Sequence, residues 1–318
     1  HCIVPTLLNH LPAISRLMRQ RTIRRSVHAI GIGVHSAGKV RMTLRPAEDN
    51  TGIVFVRTDL QGAKVRAQPG GVSDTTLSTT LSENGVQVAT VEHLLSALWG
   101  LGIDNLIVEL NSEEVPIMDG SAAPFVNMIR LVGMKAQKAP RAFIRIKREI
   151  RVTQGEALAL LRPYPGFKAS YTFVADHPVY DLYPKEAEFD FASVSYVDEV
   201  SRARSFGLIR DLNQARAINR CLGSSLENAV GIDDFKVVNE EGLRYEDEFV
   251  KHKVLDAIGD LYLLGQPMLG EFRGYMSGHT LNNKLAQALL RCEDAWDVVT
   301  FEDSAEMPGK PVLIPSIV

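Results

Sequence analysis

The chain has 318 residues, of which 45% are hydrophobic, 23% charged and 7% aromatic, with 35 Lys+Arg against 38 Asp+Glu. This composition excludes a disordered chain, a collagen-like chain and a disulfide-stapled miniprotein, and it suffices for one large domain or two mid-sized ones with buried cores. No apolar run approaches the roughly 20 residues needed to span a bilayer, and basic residues are not interleaved with aromatics along any element, so neither a membrane span nor nucleic-acid binding is expected.

The charge is unevenly spread. No acid precedes Glu48, whereas Arg16, Arg19, Arg21, Arg24, Arg25, Lys39, Arg41 and Arg45 do. Residues 1–17 (HCIVPTLLNHLPAISRL) do not read as a secretory signal, because Asn9, His10 and Pro12 break the apolar stretch and no basic segment precedes it. Met18 stands just before the first strand-like segment, so 1–17 read as an N-terminal extension. The three cysteines, Cys2, Cys221 and Cys292, are widely spaced and form no CxxC pair. That argues against a thiolate zinc site or a disulfide framework and suggests a reducing, cytoplasmic setting.

In chain order, alternating or β-branched segments predict strands at Val40–Arg45, Gly52–Arg57, Asn105–Leu110, Phe143–Val152, Ala157–Leu161 and Ala169–Val174. Apolar residues at three- and four-residue spacing predict helices at Thr90–Leu101, Pro124–Leu131, Gln214–Cys221, Glu248–Leu264 and Asn282–Cys292. Thr90 is expected to be an N-cap, with His93 at the third helical position. Strands and helices do not alternate as βαβ units, which favours an α+β arrangement. The polar segment Lys135–Arg141 (KAQKAPR) reads as a linker, dividing the chain into domains at 18–138 and 139–318. Val91-Glu92-His93 and Val250-Lys251-His252 each open a long helix, a hint of two similar halves.

Three histidines stand out among eight. His252 and Asp256 are four apart on a predicted helix and share a face, which Asp260 continues. An imidazole and a carboxylate so placed form a two-ligand platform for a metal such as zinc, although an ordinary ion pair has the same spacing. Glu92-His93 would add a ligand and, beside it, a base for a metal-bound water. His279 follows Ser277-Gly278, and Asp260 could hold it protonated. Lys253 could bind an anionic group. Gly31-Ile32-Gly33-Val34-His35-Ser36 lacks the third glycine of a dinucleotide loop, and Gly38-Lys39-Val40 lacks the rest of a P-loop.

These motifs, in this order, closely resemble one family. They are Thr90-Val91-Glu92-His93-Leu94-Leu95-Ser96-Ala97-Leu98, Gly102-Ile103-Asp104-Asn105, Val115-Pro116-Ile117-Met118-Asp119-Gly120-Ser121-Ala122, Asp247-Glu248-Phe249-Val250-Lys251-His252-Lys253, Leu255-Asp256-Ala257-Ile258-Gly259-Asp260-Leu261, Ser277-Gly278-His279 and Leu281-Asn282-Asn283-Lys284. The family is the UDP-3-O-acyl-N-acetylglucosamine deacetylases, zinc enzymes committing Gram-negative bacteria to lipid A synthesis. The resemblance runs from about Met18 to the C-terminus. It implies two topologically similar α+β halves, each a sheet layered on helices, with the helices sandwiched between the sheets. It implies His93, His252 and Asp256 as zinc ligands, Glu92 as general base, His279 as general acid with Asp260 as its partner, and a Ser205 hydroxyl stabilising the oxyanion. Lys253 and Phe206 match substrate-binding residues, and Leu208 to Ile232 lie where the family builds a hydrophobic acyl passage, an insert of the second domain. The implied partners are UDP-3-O-acyl-N-acetylglucosamine and water, bound by a monomeric cytoplasmic enzyme working close to the membrane surface.

This chain departs from the family pattern at several positions. Ser205 stands for a usual Thr, Met276 for a basic residue, Gly223-Ser224 for a Gly-Gly pair, Ala175 for a Phe near the uridine, Ala157 for a basic cleft residue, and Gly231 for a bulkier passage residue. A non-catalytic UDP-sugar-binding paralogue is therefore the rival expectation, opposed by the intact set Glu92, His93, His252, Asp256, Asp260 and His279. A zinc peptidase is disfavoured because no HExxH is present.

Overall fold

The computed structural model describes residues 19–301. The extension 1–17, with Cys2, and Met18 lie outside the described residues. Strands β1 (Arg19–Ile23), β2 (Val27–Ile32) and β3 (Lys39–Pro46) open the chain. In β3, Val40, Met42 and Leu44 are buried while Lys39, Arg41 and Arg45 are exposed, the period-two signature of a half-buried strand. Next come β4 (Ile53–Arg57), β5 (Ala63–Arg66), β6 (Val72–Asp74), β7 (Thr80–Glu83), β8 (Val86–Val88), helix α1 (Glu92–Leu101), β9 (Leu106–Leu110) and helix α2 (Ala123–Val132). The first sheet has the order β2-β3-β9-β4-β5, in which only β4 and β9 are parallel.

The rest of the chain repeats this plan. After β10 (Met134–Pro140) and β11 (Ala142–Ile146) come β12 (Ile150–Gln154), β13 (Ala157–Arg162), β14 (Phe167–Thr172) and β15 (Glu186–Asp190). Then follow α3 (Tyr196–Glu199), β16 (Phe206–Leu208), α4 (Ile209–Ala217), β17 (Val230–Ile232), α5 (Glu248–Leu261), β18 (Met268–Tyr275), α6 (His279–Arg291) and β19 (Trp296–Thr300). Strands β12-β13-β18-β14-β15 reproduce the first sheet's order, again with the third-ranked strand parallel to the fourth. A helix precedes the inserted strand (α1 before β9, α5 before β18) and another follows it (α2, α6). The two topologically similar halves are therefore present, and β11 and β19 extend the second sheet.

Helices α1 and α5 pack on each other between the sheets. Every residue of α1 except Trp99 and every residue of α5 except Lys253 is buried, the pattern of a helix with no solvent face. Polar groups carried on these two helices therefore lie in the interior and need partners there. Among the described residues, no helix is long and apolar enough to cross a membrane.

Several expectations need correction. Thr90 does not cap α1: the helix begins at Glu92, Val91 occupies the cap position, and His93 is the second helical residue. Thr90 instead sits at φ 61°, its hydroxyl donating to Ser78 Oγ. Lys135–Arg141 is not a linker for most of its length, because β10 pairs antiparallel with β1. Its polar residues mislead because β10 lies on the outside of the buried β1 and keeps Lys135, Ala136 and Lys138 exposed. Phe143–Val152 is two strands, interrupted at Lys147-Arg148-Glu149, where the Lys147 and Arg148 amides donate to the Ala295 carbonyl instead of a ladder. The helix expected over Gln214–Cys221 is displaced to α4, with Asn219 and Cys221 both in the left-handed region that ends it.

Candidate active site

The fold brings the two helix starts together. His93 on α1 and His252 on α5 lie edge to face, with ring centroids 4.9 Å apart. Asp256, one turn after His252, directs Oδ1 between them, 3.2 Å from His93 Nε2 and 3.3 Å from His252 Nε2. The three candidate ligand atoms all lie within 4.8 Å of one another, and all three residues are buried.

This donor set fits a metal. His252 Nδ1 lies 2.9 Å from the Ala203 carbonyl oxygen. A carbonyl can only accept, so Nδ1 carries the proton and a neutral His252 turns the lone pair of Nε2 toward Asp256. Asp256 Oδ1 is buried with no hydrogen-bond donor. A ring lone pair facing a buried carboxylate oxygen is a contact that a cation satisfies, and a backbone carbonyl orienting the ligating imidazole is the usual supporting arrangement. Two imidazoles and one carboxylate suit zinc and leave room for water.

Beside these three candidate ligands lies a second group. Glu92 precedes His93 at the start of α1, where the helix dipole favours its charge. Its Oε2 accepts from the Thr79 amide at 3.1 Å, and its Oε1 is 3.6 Å from His279 Nε2. Burial pushes the Glu92 carboxyl up, and the imidazole of His279 only partly opposes this. His279 opens α6, and its Nδ1 is 2.7 Å from Asp260 Oδ2. Burial works against the charge on His279, but the Asp260 and Glu92 carboxylates outweigh it and push its pKa up to about 10. Asp260 also accepts from Asn282 Nδ2 at 3.1 Å and from the Thr79 hydroxyl at 2.7 Å. A carboxyl with raised pKa and a charged imidazole facing it form a base and an acid within one site.

The remaining candidates line its edge. The Ser205 hydroxyl donates to the Asn228 carbonyl at 3.1 Å. Phe206 packs with Phe173, Tyr180 and Phe249, and its ring centroid is 6.2 Å from that of His252. Lys253, the one partly exposed residue of α5, holds Nζ 5.8 Å from the centre of the Tyr171 ring. The Tyr171 hydroxyl in turn donates to the Ser277 carbonyl, two residues before His279. Ala175 packs at the margin of the Phe206 cluster. Ala157 and Met276 flank the Leu158–Tyr275 register pair, so these two departures from the family pattern share one end of the second sheet. At Gly231 a Cβ would meet Leu226 Cδ2 at 2.7 Å, so here the side chain of Leu226 takes space that a bulkier residue would fill.

The structure thus brings Glu92, His93, His252, Asp256, Asp260 and His279 close together. Sequence reasoning missed Thr79, which nothing in Ser78-Thr79-Thr80 marks. It also missed Asn282, which the three-residue spacing from His279 on α6 could have revealed.

Comparison with known proteins agrees with this geometry. The sequence profile of the family described as UDP-3-O-acyl N-acetylglycosamine deacetylase matches residues 20–291. The UDP-3-O-acyl-N-acetylglucosamine deacetylase of Hahella chejuensis is 56% identical over 301 residues, covering 93% of this chain and 100% of the relative. The enzyme of the same name from Marinobacter nauticus is also 56% identical, over 93% and 99% of the two chains. That of Chromohalobacter salexigens is 57% identical over 91% and 96%. With the matched segment covering the first sheet, the second sheet through β18 and every residue of the buried site, the chain belongs to the UDP-3-O-acyl-N-acetylglucosamine deacetylase family.

Proposed function

We propose that this chain is a zinc-dependent deacetylase that hydrolyses the N-acetyl group of UDP-3-O-acyl-N-acetylglucosamine, the committing step of lipid A synthesis. The observation that carries this reading is the convergence of His93 Nε2, His252 Nε2 and the donor-less Asp256 Oδ1 beside the facing pair Glu92 and His279. His93, His252 and Asp256 would hold the zinc. When bound, zinc supplies a Lewis acid for the amide carbonyl and for a water. Glu92 accepts a proton from the attacking water. His279, charged and held by Asp260, donates its Nε2 proton to the departing nitrogen. The Ser205 hydroxyl turns from the Asn228 carbonyl to donate to the oxyanion. Acetate and the free 2-amino sugar result.

Lys253 and Phe206 hold the substrate's polar and sugar portions, and the segment from Leu208 to Ile232 receives the acyl chain. Exposed Ile218, Leu222 and Leu226 in that segment support an apolar ligand there. The division into domains 18–138 and 139–318, a monomeric state and a cytoplasmic location near the membrane surface complete the reading. The test is acetate release from UDP-3-O-acyl-N-acetylglucosamine with and without a chelator, followed by zinc add-back. Activity that survives complete metal removal overturns the metal assignment, and nucleotide-sugar binding without acetate release under any metal overturns the enzyme assignment.

A further inference from the structure

One buried residue outside the expected set touches both reaction groups. Thr79 lies in the turn before β7 and is 1% exposed. Its amide donates to Glu92 Oε2 at 3.1 Å, and its hydroxyl donates to Asp260 Oδ1 at 2.7 Å. Its carbonyl accepts from the amide of Val91, the cap position of α1, at 3.3 Å. All three polar groups of one threonine are therefore spent on the machinery: on the base, on the carboxylate that orients the acid, and on the start of the helix that carries the base. The Asp260 bond joins residues 181 apart in the chain, one from each half. Four residues earlier, Thr75 Oγ1 lies 2.6 Å from Thr280 Oγ1, next to His279. The same turn is thus tied twice to the half that supplies the acid.

We infer that Thr79 is a positioning residue that sets the distance between Glu92 and His279, acting through Asp260 by its hydroxyl and on Glu92 by its amide. Asp260 is buried and has three donors, His279 Nδ1, Asn282 Nδ2 and Thr79 Oγ1. Two of them pull on Oδ2, and Thr79 alone holds Oδ1. Without the hydroxyl, the carboxylate is free to turn about its Cβ–Cγ bond, and the imidazole bonded to it turns with it. Misplacement of a reacting group by this route lowers turnover without weakening substrate binding. The amide bond to Glu92 survives any side-chain change, so the hydroxyl can be tested alone.

The inference rests on the deacetylase reading, and the experiment separates the two. Thr79→Val keeps the shape and removes only the hydroxyl, whereas Thr79→Ser restores it. With zinc-loaded protein and UDP-3-O-acyl-N-acetylglucosamine, Thr79→Val is expected to lose about tenfold in kcat with KM and zinc content unchanged, as for one hydrogen bond to a charged group. Thr79→Ser is expected to recover most of the loss. In an Asp260→Asn background, Thr79→Val should cost nothing further, because the group it acts through is already altered. A readout that needs no substrate is the proton resonance of His279 Nδ1, expected at low field in wild type and in Thr79→Ser and weakened in Thr79→Val. Full kcat in Thr79→Val, an additive loss in the Asp260→Asn background, or no rescue by serine overturns the inference. Loss of zinc or of cooperative unfolding in both Thr79→Val and Thr79→Ala assigns a purely structural role and overturns it equally. Wild-type protein that releases no acetate, yet shows the hydroxyl-dependent His279 resonance, contradicts the deacetylase reading while leaving the Thr79 clasp in place.

Discussion

A Cβ built on Gly259 would lie 2.0 Å from the carbonyl oxygen of Glu92. Helices α1 and α5 therefore cross backbone against backbone at Glu92, the proposed general base, close to Asp256 and Asp260 on α5. Only glycine permits this approach. Gly259→Ala is expected to destabilise the fold by at least about 1–3 kcal/mol, because the clash is with backbone rather than with a movable side chain. It should also lower zinc affinity, since His93 is forced away from His252. Urea unfolding together with metal analysis checks both, and an alanine variant of wild-type stability would refute the crossing.

Glu92→Gln preserves the shape of the base and can still accept the Thr79 amide through its side-chain oxygen. It removes the proton-accepting carboxylate, so kcat should fall about 10²- to 10⁴-fold. Because Glu92 is not among the three proposed ligands, zinc content should be unchanged. A single-turnover acetate assay paired with zinc quantitation reads both quantities.

Metal removal should loosen the protein as well as silence it. Without a cation, Asp256 Oδ1 is a buried acceptor lacking a donor beside two imidazoles. A ligand at a hundredfold excess over its Kd stabilises the native state by about 2.7 kcal/mol. Differential scanning calorimetry with a chelator should show a lowered Tm that zinc restores, and an unchanged Tm would remove these residues from the metal assignment.

Acid stability can be followed at Glu271 on β18, well away from the metal ligands. Burial alone would raise its carboxyl, but Arg162, to which it is hydrogen bonded, and Arg273, whose Nε is 3.3 Å away, outweigh this and lower it below the ordinary 4.5. A carboxyl lowered in the folded state contributes stability that is complete above the unfolded value and is lost as pH falls through the folded one. Glu271→Gln should therefore cost on the order of 1 kcal/mol at neutral pH. Its stability curve should begin to converge with that of wild type only as pH falls below the ordinary 4.5 and through the lowered folded value, by the same linkage. Urea midpoints across pH 3–7 test this, and a constant offset through the acid range would contradict it.

The parts of the site that could be read from sequence share one property, which is that their geometry is local. His252 and Asp256 share a helix face by spacing alone, and Glu92 adjoins His93 by chain continuity. Thr79 and Asp260 could not be paired, because only the docking of the two halves joins residues so far apart in sequence. Thr90 misled for a related reason. A threonine before a helical run is an ordinary cap, but here its hydroxyl is taken by Ser78, and the backbone enters α1 from the left-handed region. Lys135–Arg141 looked like a linker because its polarity was weighed without the partner strand that pairs with it. The halves' likeness surfaced in two tripeptides, while the shared strand order needed the pairing itself.

That shared order has a further consequence. Lys251 precedes His252 as Glu92 precedes His93, but it is the fourth residue of α5 where Glu92 is the first of α1, and it is engaged in ion pairs with Glu199 and Asp247 at 3.1 and 3.3 Å. On the proposed mechanism a doubled framework carries a single site, to which the first half would contribute one ligand and the proton acceptor and the second half two ligands and the proton donor. On that reading neither half holds a complete set of reacting groups by itself. Catalysis is consequently a sensor of how tightly the copies are seated on each other, and turnover should fade under mild denaturant before either sheet begins to melt.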